Sequence, residues 1–198
     1  MSIRHAVLGH VAHEQERGFK HQNPLVAWWA KRQIASALNV HQDLALFDKL
    51  KQQPDLLRNF IAIFNSSNYD LRVRLKNFFT GIFERENNDP FLHTLVVDLR
   101  YYALRGTDYE RLGIIGIFGS LLYSNNNHVK TIGYGFLEAL LLNGGENEKR
   151  LALNQIESRV VVDNTGVHPS LKQAIIQLRG DLSSEVSNAA IRILSHLD

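Results

Sequence analysis

Val129-Lys130-Thr131-Ile132-Gly133-Tyr134-Gly135-Phe136-Leu137-Glu138-Ala139-Leu140 puts Val129, Ile132, Gly133, Phe136, Leu137 and Leu140 at the i, i+3, i+4, i+7, i+8 and i+11 positions of a helix. That spacing gathers them in one stripe along a helix face. The same register stands 58 residues earlier in Leu71, Arg74, Leu75, Phe78, Phe79 and Ile82. It returns 57 residues later in Val186, Ala189, Ala190, Ile193, Leu194 and Leu197. In each copy a polar turn and an earlier apolar helix precede the stripe. Recurrence at a nearly fixed interval marks stacked repeats, in which a unit buries its apolar face only against its neighbours.

Helix punctuation divides the rest of the chain. Asn23-Pro24, Asp89-Pro90 and His168-Pro169 pair a cap with a proline at the first helical position, and they open helices predicted over 24–38, 90–105 and 169–180. Thr107-Asp108-Tyr109-Glu110 has capping-box spacing after the helix stop Gly106. Asn65-Ser66-Ser67-Asn68, Asn125-Asn126-Asn127 and Asn143-Gly144-Gly145 are polar turns or stops between apolar runs. The predicted helices fall into three groups of three: 42–52, 54–65 and 69–86; 90–105, 108–124 and 127–142; 147–161, 169–180 and 184–197. The single domain 1–198 thus holds three units, 42–86, 90–142 and 147–198. They follow an N-terminal cap, 1–41, made of a helix near 2–17 and the tryptophan-bearing helix 24–38. Val160-Val161-Val162 is the one stretch with strand character, and it reads as a frayed helix end.

Ser183-Ser184-Glu185-Val186-Ser187-Asn188-Ala189-Ala190-Ile191-Arg192-Ile193-Leu194 resembles the second-helix signature of armadillo and HEAT repeats. It has a polar turn, an acidic residue before valine, and small residues where helices approach. Asp70-Leu71-Arg72 and His128-Val129-Lys130 sit at the matching places. The resemblance covers about residues 42–198 and implies an all-α fold: a short right-handed armadillo/HEAT-like helical stack. The interval exceeds the usual repeat of about 40–47 residues, which suggests a full third helix in each unit. Arg74 replaces the Ile132 and Ala189 of the other copies, which suggests an ion-paired or exposed edge in the first unit. Amphipathic helices packed as an ordinary bundle produce much of the same pattern.

Composition narrows the function classes. The chain has 198 residues, 44% of them hydrophobic, and its 22 basic and 20 acidic groups leave a net charge of +2. Near-balance argues against a dedicated nucleic-acid binder. Cysteine is absent, and with it thiolate metal sites and cysteine nucleophiles. The apolar run at the N-terminus is short and broken by Gly9 and His10, unlike a secretory signal. Leu112 to Tyr123, interrupted by glycines, falls short of the roughly 20 residues that span a bilayer. No membrane span and a cytoplasmic or otherwise intracellular location are expected; delivery by a specialised secretion system leaves no mark on composition.

Each candidate for chemistry has a plainer alternative. His10, His13 and Glu14 lie a turn apart but lack the order of a zinc-protease motif and a further ligand, so neither a metal nor another cofactor is expected. Gly113, Gly116 and Gly119 recur every third residue inside a helix, where they suit close helix packing rather than a phosphate cradle, and Gly133 and Gly135 fit the same account. Trp28 and Trp29 diverge by about 100° on one helix; one ring is expected at the surface, as a partner anchor or as cover for the end of the stack. Arg58, Arg72, Arg74 and Lys76 make the first unit basic, a candidate surface for an acidic protein partner or a solvated face. Asp98 with Tyr101 and Tyr102 is similar to the acid and aromatics that HEAT-like alkylpurine DNA glycosylases place in a concave groove. Asn77, Gly135 and Arg192 align without forming the tryptophan and asparagine ladder of peptide-binding armadillo proteins. The sequence therefore points to a non-enzymatic protein–protein interaction module with an unnamed partner, and secondarily to a nucleic-acid binder or glycosylase.

Overall fold

In the computed structural model, residues 24–163 and 167–197 are described, and they are helical with no strand among them. Ten α-helices follow in order: α1 Pro24–Asn39, α2 Asp43–Gln52, α3 Leu57–Ile61, α4 Tyr69–Arg85, α5 Phe91–Arg105, α6 Asp108–Leu121, α7 Asn127–Asn143, α8 Glu146–Asp163, α9 Pro169–Gln177 and α10 Ser184–Ser195. Short 3₁₀ turns cover Pro54–Leu56, Ala62–Asn65 and Leu178–Gly180. The helix expected over 54–65 is therefore α3 flanked by two 3₁₀ turns, the first with proline at its opening position. Likewise α9 stops at Gln177, α6 stops at Leu121, and Val160, Val161 and Val162 continue α8. The helix expected near 2–17, with His10, His13 and Glu14, lies outside the described residues.

The starts of α4, α7 and α10 are three copies of one turn. Ser66, Ser124 and Asp181 stand at the repeat interval, and the backbone N–H of each donates to a carbonyl three residues back, on Ile63, Leu121 and Leu178. Each then accepts, on its side chain, the backbone N–H two residues ahead: Asn68 at 3.2 Å, Asn126 at 2.9 Å and Ser183 at 3.0 Å. Those three residues are in turn the N-caps, accepting from Leu71, His128 and Val186. The capping box of α6 is also formed, Thr107 and Glu110 each receiving the other's backbone N–H.

The repeated stripe is the core side of these helices. Leu75, Phe78, Phe79 and Ile82 are buried, as are Val129, Phe136, Leu137 and Leu140, and Val186, Ala189, Ala190, Ile193 and Leu194. Repetition extends to ring contacts: Phe60 stacks on Phe78 at 5.5 Å, and the equivalent Phe118 stacks on Phe136 at 3.5 Å. Ile175 and Ile193, both buried, occupy these places in the last unit. Helix α6 is apolar nearly all round because α4, α5, α7 and α8 surround it. Gly133 permits the approach of α7, since a Cβ there would lie 2.9 Å from the Phe118 carbonyl oxygen. Gly113 and Gly119 are likewise closed over, by Phe64 and Gln155. Gly135 departs from the packing expectation: it is exposed, with nothing within 4 Å of a Cβ.

Candidate functional groove

Helix α5 packs on α6 and on no other helix to a comparable extent, whereas α7 leans towards α6, α8 and α9. Between α5 and α7 this leaves a groove of about 550 Å³, closed at one end by the loop Asn87-Asn88-Asp89. Leu92, Val96, Ile132 and Phe136 supply apolar lining, and His93, Arg100, His128 and Thr131 are its polar groups. The Phe118 ring beneath, parallel to within 6°, fixes Phe136 in place. Arg100 is half-buried with its guanidinium carbon 5.9 Å from the Phe136 ring centre, and its Nε is buried without a hydrogen-bond partner. The carboxylate of the groove, Asp89, is already engaged: it accepts from the Phe91 N–H at 2.9 Å and from Lys51 at 3.0 Å. The Phe91 N–H first, and Lys51 after it, hold its carboxyl below the ordinary aspartate range.

The residues expected from sequence to bind a partner are divided among several places. Arg74 is half-buried and donates to the Asn39 carbonyl at 3.2 Å, so it ties the end of α1 to α4. Arg72 lies over the rings of Tyr109, at 5.2 Å, and Tyr69, at 5.8 Å. Lys76, one turn further along α4, runs beside Gly116 of α6. Arg58 is exposed on α3 and acts electrostatically on Tyr102. Trp28 and Trp29 are both exposed, at 55% and 58%, with Arg32 stacked on Trp28, so both rings face outward rather than one.

Asp98, Tyr101 and Tyr102 do come together, but outside the groove. Positions 98 and 100 are about 200° apart around α5, and none of the three lines the α5–α7 space. Tyr101 meets Tyr102 edge-on at 5.6 Å. Burial pushes the Tyr102 phenol up to about 12, with Arg58 opposing and Asp98 adding to the rise. This phenol stays protonated at neutral pH. Among the described residues no three histidine, aspartate or glutamate side chains are gathered to hold a metal, and no helix is long and apolar enough to cross a membrane.

Sequence reading overlooked Arg100, His93 and His128. The signal was present: the interval that aligns Gly135 with Arg192 also aligns Arg100 with Glu157, a basic residue against an acidic one. No protein-family model, curated protein or solved structure matches the chain.

Proposed function

We propose that this chain is a non-enzymatic protein–protein interaction module: a short, right-handed armadillo/HEAT-like stack that serves as a scaffold or adaptor. The triple turn at Ser66, Ser124 and Asp181 and the equivalent ring pairs support the repeat reading, since independent helices of a bundle have no reason to share them. The observation that carries the function is the α5–α7 groove, whose apolar floor, beside an arginine with a buried and unpartnered Nε, suits the recognition of another chain. Exposed Tyr69 and Tyr109, with half-buried Arg72 over both rings, form a second surface of a composition enriched at interfaces.

The test is affinity capture with the full chain from its source cells, with and without nuclease, followed by titration against the recombinant captured protein. A saturable protein–protein association that survives nuclease is the expected result. Association only with nucleic acid, falling steeply as salt rises, overturns the reading in favour of a nucleic-acid binder.

A further inference from the structure

The middle and last units differ at one pair of equivalent positions. In the last unit Glu157 of α8 accepts two bonds from Arg192 of α10, at 2.9 and 3.2 Å, and the two helices pack directly. The repeat interval places Arg100 at the position of Glu157 and Gly135 at that of Arg192. In the middle unit a cation therefore stands where the acid was, and the side chain that faced it is gone. Arg100 Nε is left buried without an acceptor, a costly state for a charged donor. Opposite it, Gly135 offers open space where a side chain would stand. Asp89 does not answer the charge, because Lys51 and the Phe91 N–H hold it.

We infer that the α5–α7 groove receives a carboxylate from an acidic, apolar-flanked segment of a partner protein, seated over Gly135 and paired with Arg100. The inference rests on the interaction-module reading and names the chemistry of its ligand. A guanidinium presents parallel donors that match a carboxylate in two-point contact. The floor of Val96, Ile132 and Phe136 favours apolar neighbours of that acid over a nucleic-acid backbone, which needs a row of cations.

Two measurements on the full chain test this. Gly135→Glu supplies the missing acid from within the chain: it should melt above Gly135→Gln, and the gain should vanish when Arg100→Gln is added. The glutamine variant absorbs the change in helix propensity, and equal melting of the two Gly135 variants overturns the pairing. Second, a phage-displayed library of random peptides is selected on the wild-type chain. The selected peptides should be rich in Asp or Glu beside apolar residues, and replacing that acid by its amide should weaken binding about tenfold to a hundredfold. Arg100→Gln should give a loss of the same size, and Gly135→Glu should block the groove. Peptides without acidic enrichment, binding indifferent to Arg100, or no selected peptide overturns the inference. A partner protein that still bound under those outcomes would leave the interaction-module reading standing and move its surface elsewhere.

Discussion

Helices α7 and α10 share one pattern, start from the same turn and bury the same stripe, yet α10 is closed against α8 while α7 stands open towards α5. Contact of the second and third helices is not what separates them. Phe118 and Phe136 fill one unit and Ile175 and Ile193 the other, and all four are buried. The difference lies between the first and third helices, where Glu157–Arg192 bridges one pair and Arg100 with Gly135 leaves the other unbridged. The core layer is thus kept while a difference at two outer positions decides whether the first and third helices are bridged or a groove lies between them. The shared core layer sets how the second and third helices pack, and the outer pair sets the surface between the first and third.

The sharpest way to break the comparison is to remove the layer that both units share. Phe118→Ala takes away a ring that touches Phe136 at 3.5 Å and Phe83 at 5.6 Å, at the centre of the helix with the most neighbours. Truncations of this kind cost about 3–5 kcal/mol. Denaturant titration should show a loss at the upper end of that range, larger than that of Ile175→Ala. If Ile175→Ala proved the more costly, the middle unit would not be the better-filled one, and its open groove would reflect loose packing instead of a specific missing pair.

A smaller effect should be equal in all units. Asn68, Asn126 and Ser183 stand at equivalent caps with side-chain bonds of 3.1, 2.9 and 3.4 Å, Asn126 accepting from the N–H two residues on and the others from the third. Replacing each by alanine should cost about 1 kcal/mol, read from melting curves of the three variants. A much larger loss at Asn126 would show that this turn also positions His128 and the groove, so that the units are not equivalent even in their turns.

The fold was legible wherever a local rule and the tertiary packing agree. Asn68, Thr107, Asn126 and Ser183 begin helices because their side chains satisfy free backbone donors, a need that exists before any packing. The stripe of Val129, Phe136 and Leu140 is buried because its spacing leaves no other face for the core. Residues 54–65 misled because Leu57, Phe60, Ile61 and Phe64 carry helical spacing, while the turn at Pro54–Leu56 opens on proline against α2 and the one at Ala62–Asn65 packs against α4 and α6. The groove was illegible for a related reason. Arg100 reads as an ordinary surface arginine until α5 is aligned with α8, and Gly135 reads as a packing glycine until the space beside it is seen to be empty. The split of the basic set follows the helix period, Arg74 turning towards α1 while Arg72 and Lys76 face α6.

The smallest expected effect separates the last unit from the other two by pH. Of the three equivalent turn residues, Ser66, Ser124 and Asp181, only Asp181 titrates. Its carboxylate accepts from Lys149 at 2.7 Å and from the Ser183 N–H at 3.0 Å, and these bonds, the Lys149 one foremost, lower its pKa below the ordinary 3.8. A depressed folded value means that the charged form favours the native state. Its contribution is fully present above 3.8 and is lost as the pH falls through the folded value. Asp181→Ser removes the charge but keeps the turn, because serine accepts the same N–H at Ser66 and Ser124. Melting at neutral pH should therefore fall by the worth of one partly exposed ion pair, no more than about 1 kcal/mol, and the gap from wild type should close as the pH drops below 3.8. A gap that stayed constant to low pH would mean that Asp181 acts through its shape in the turn and not through its charge, leaving all three turns physically alike.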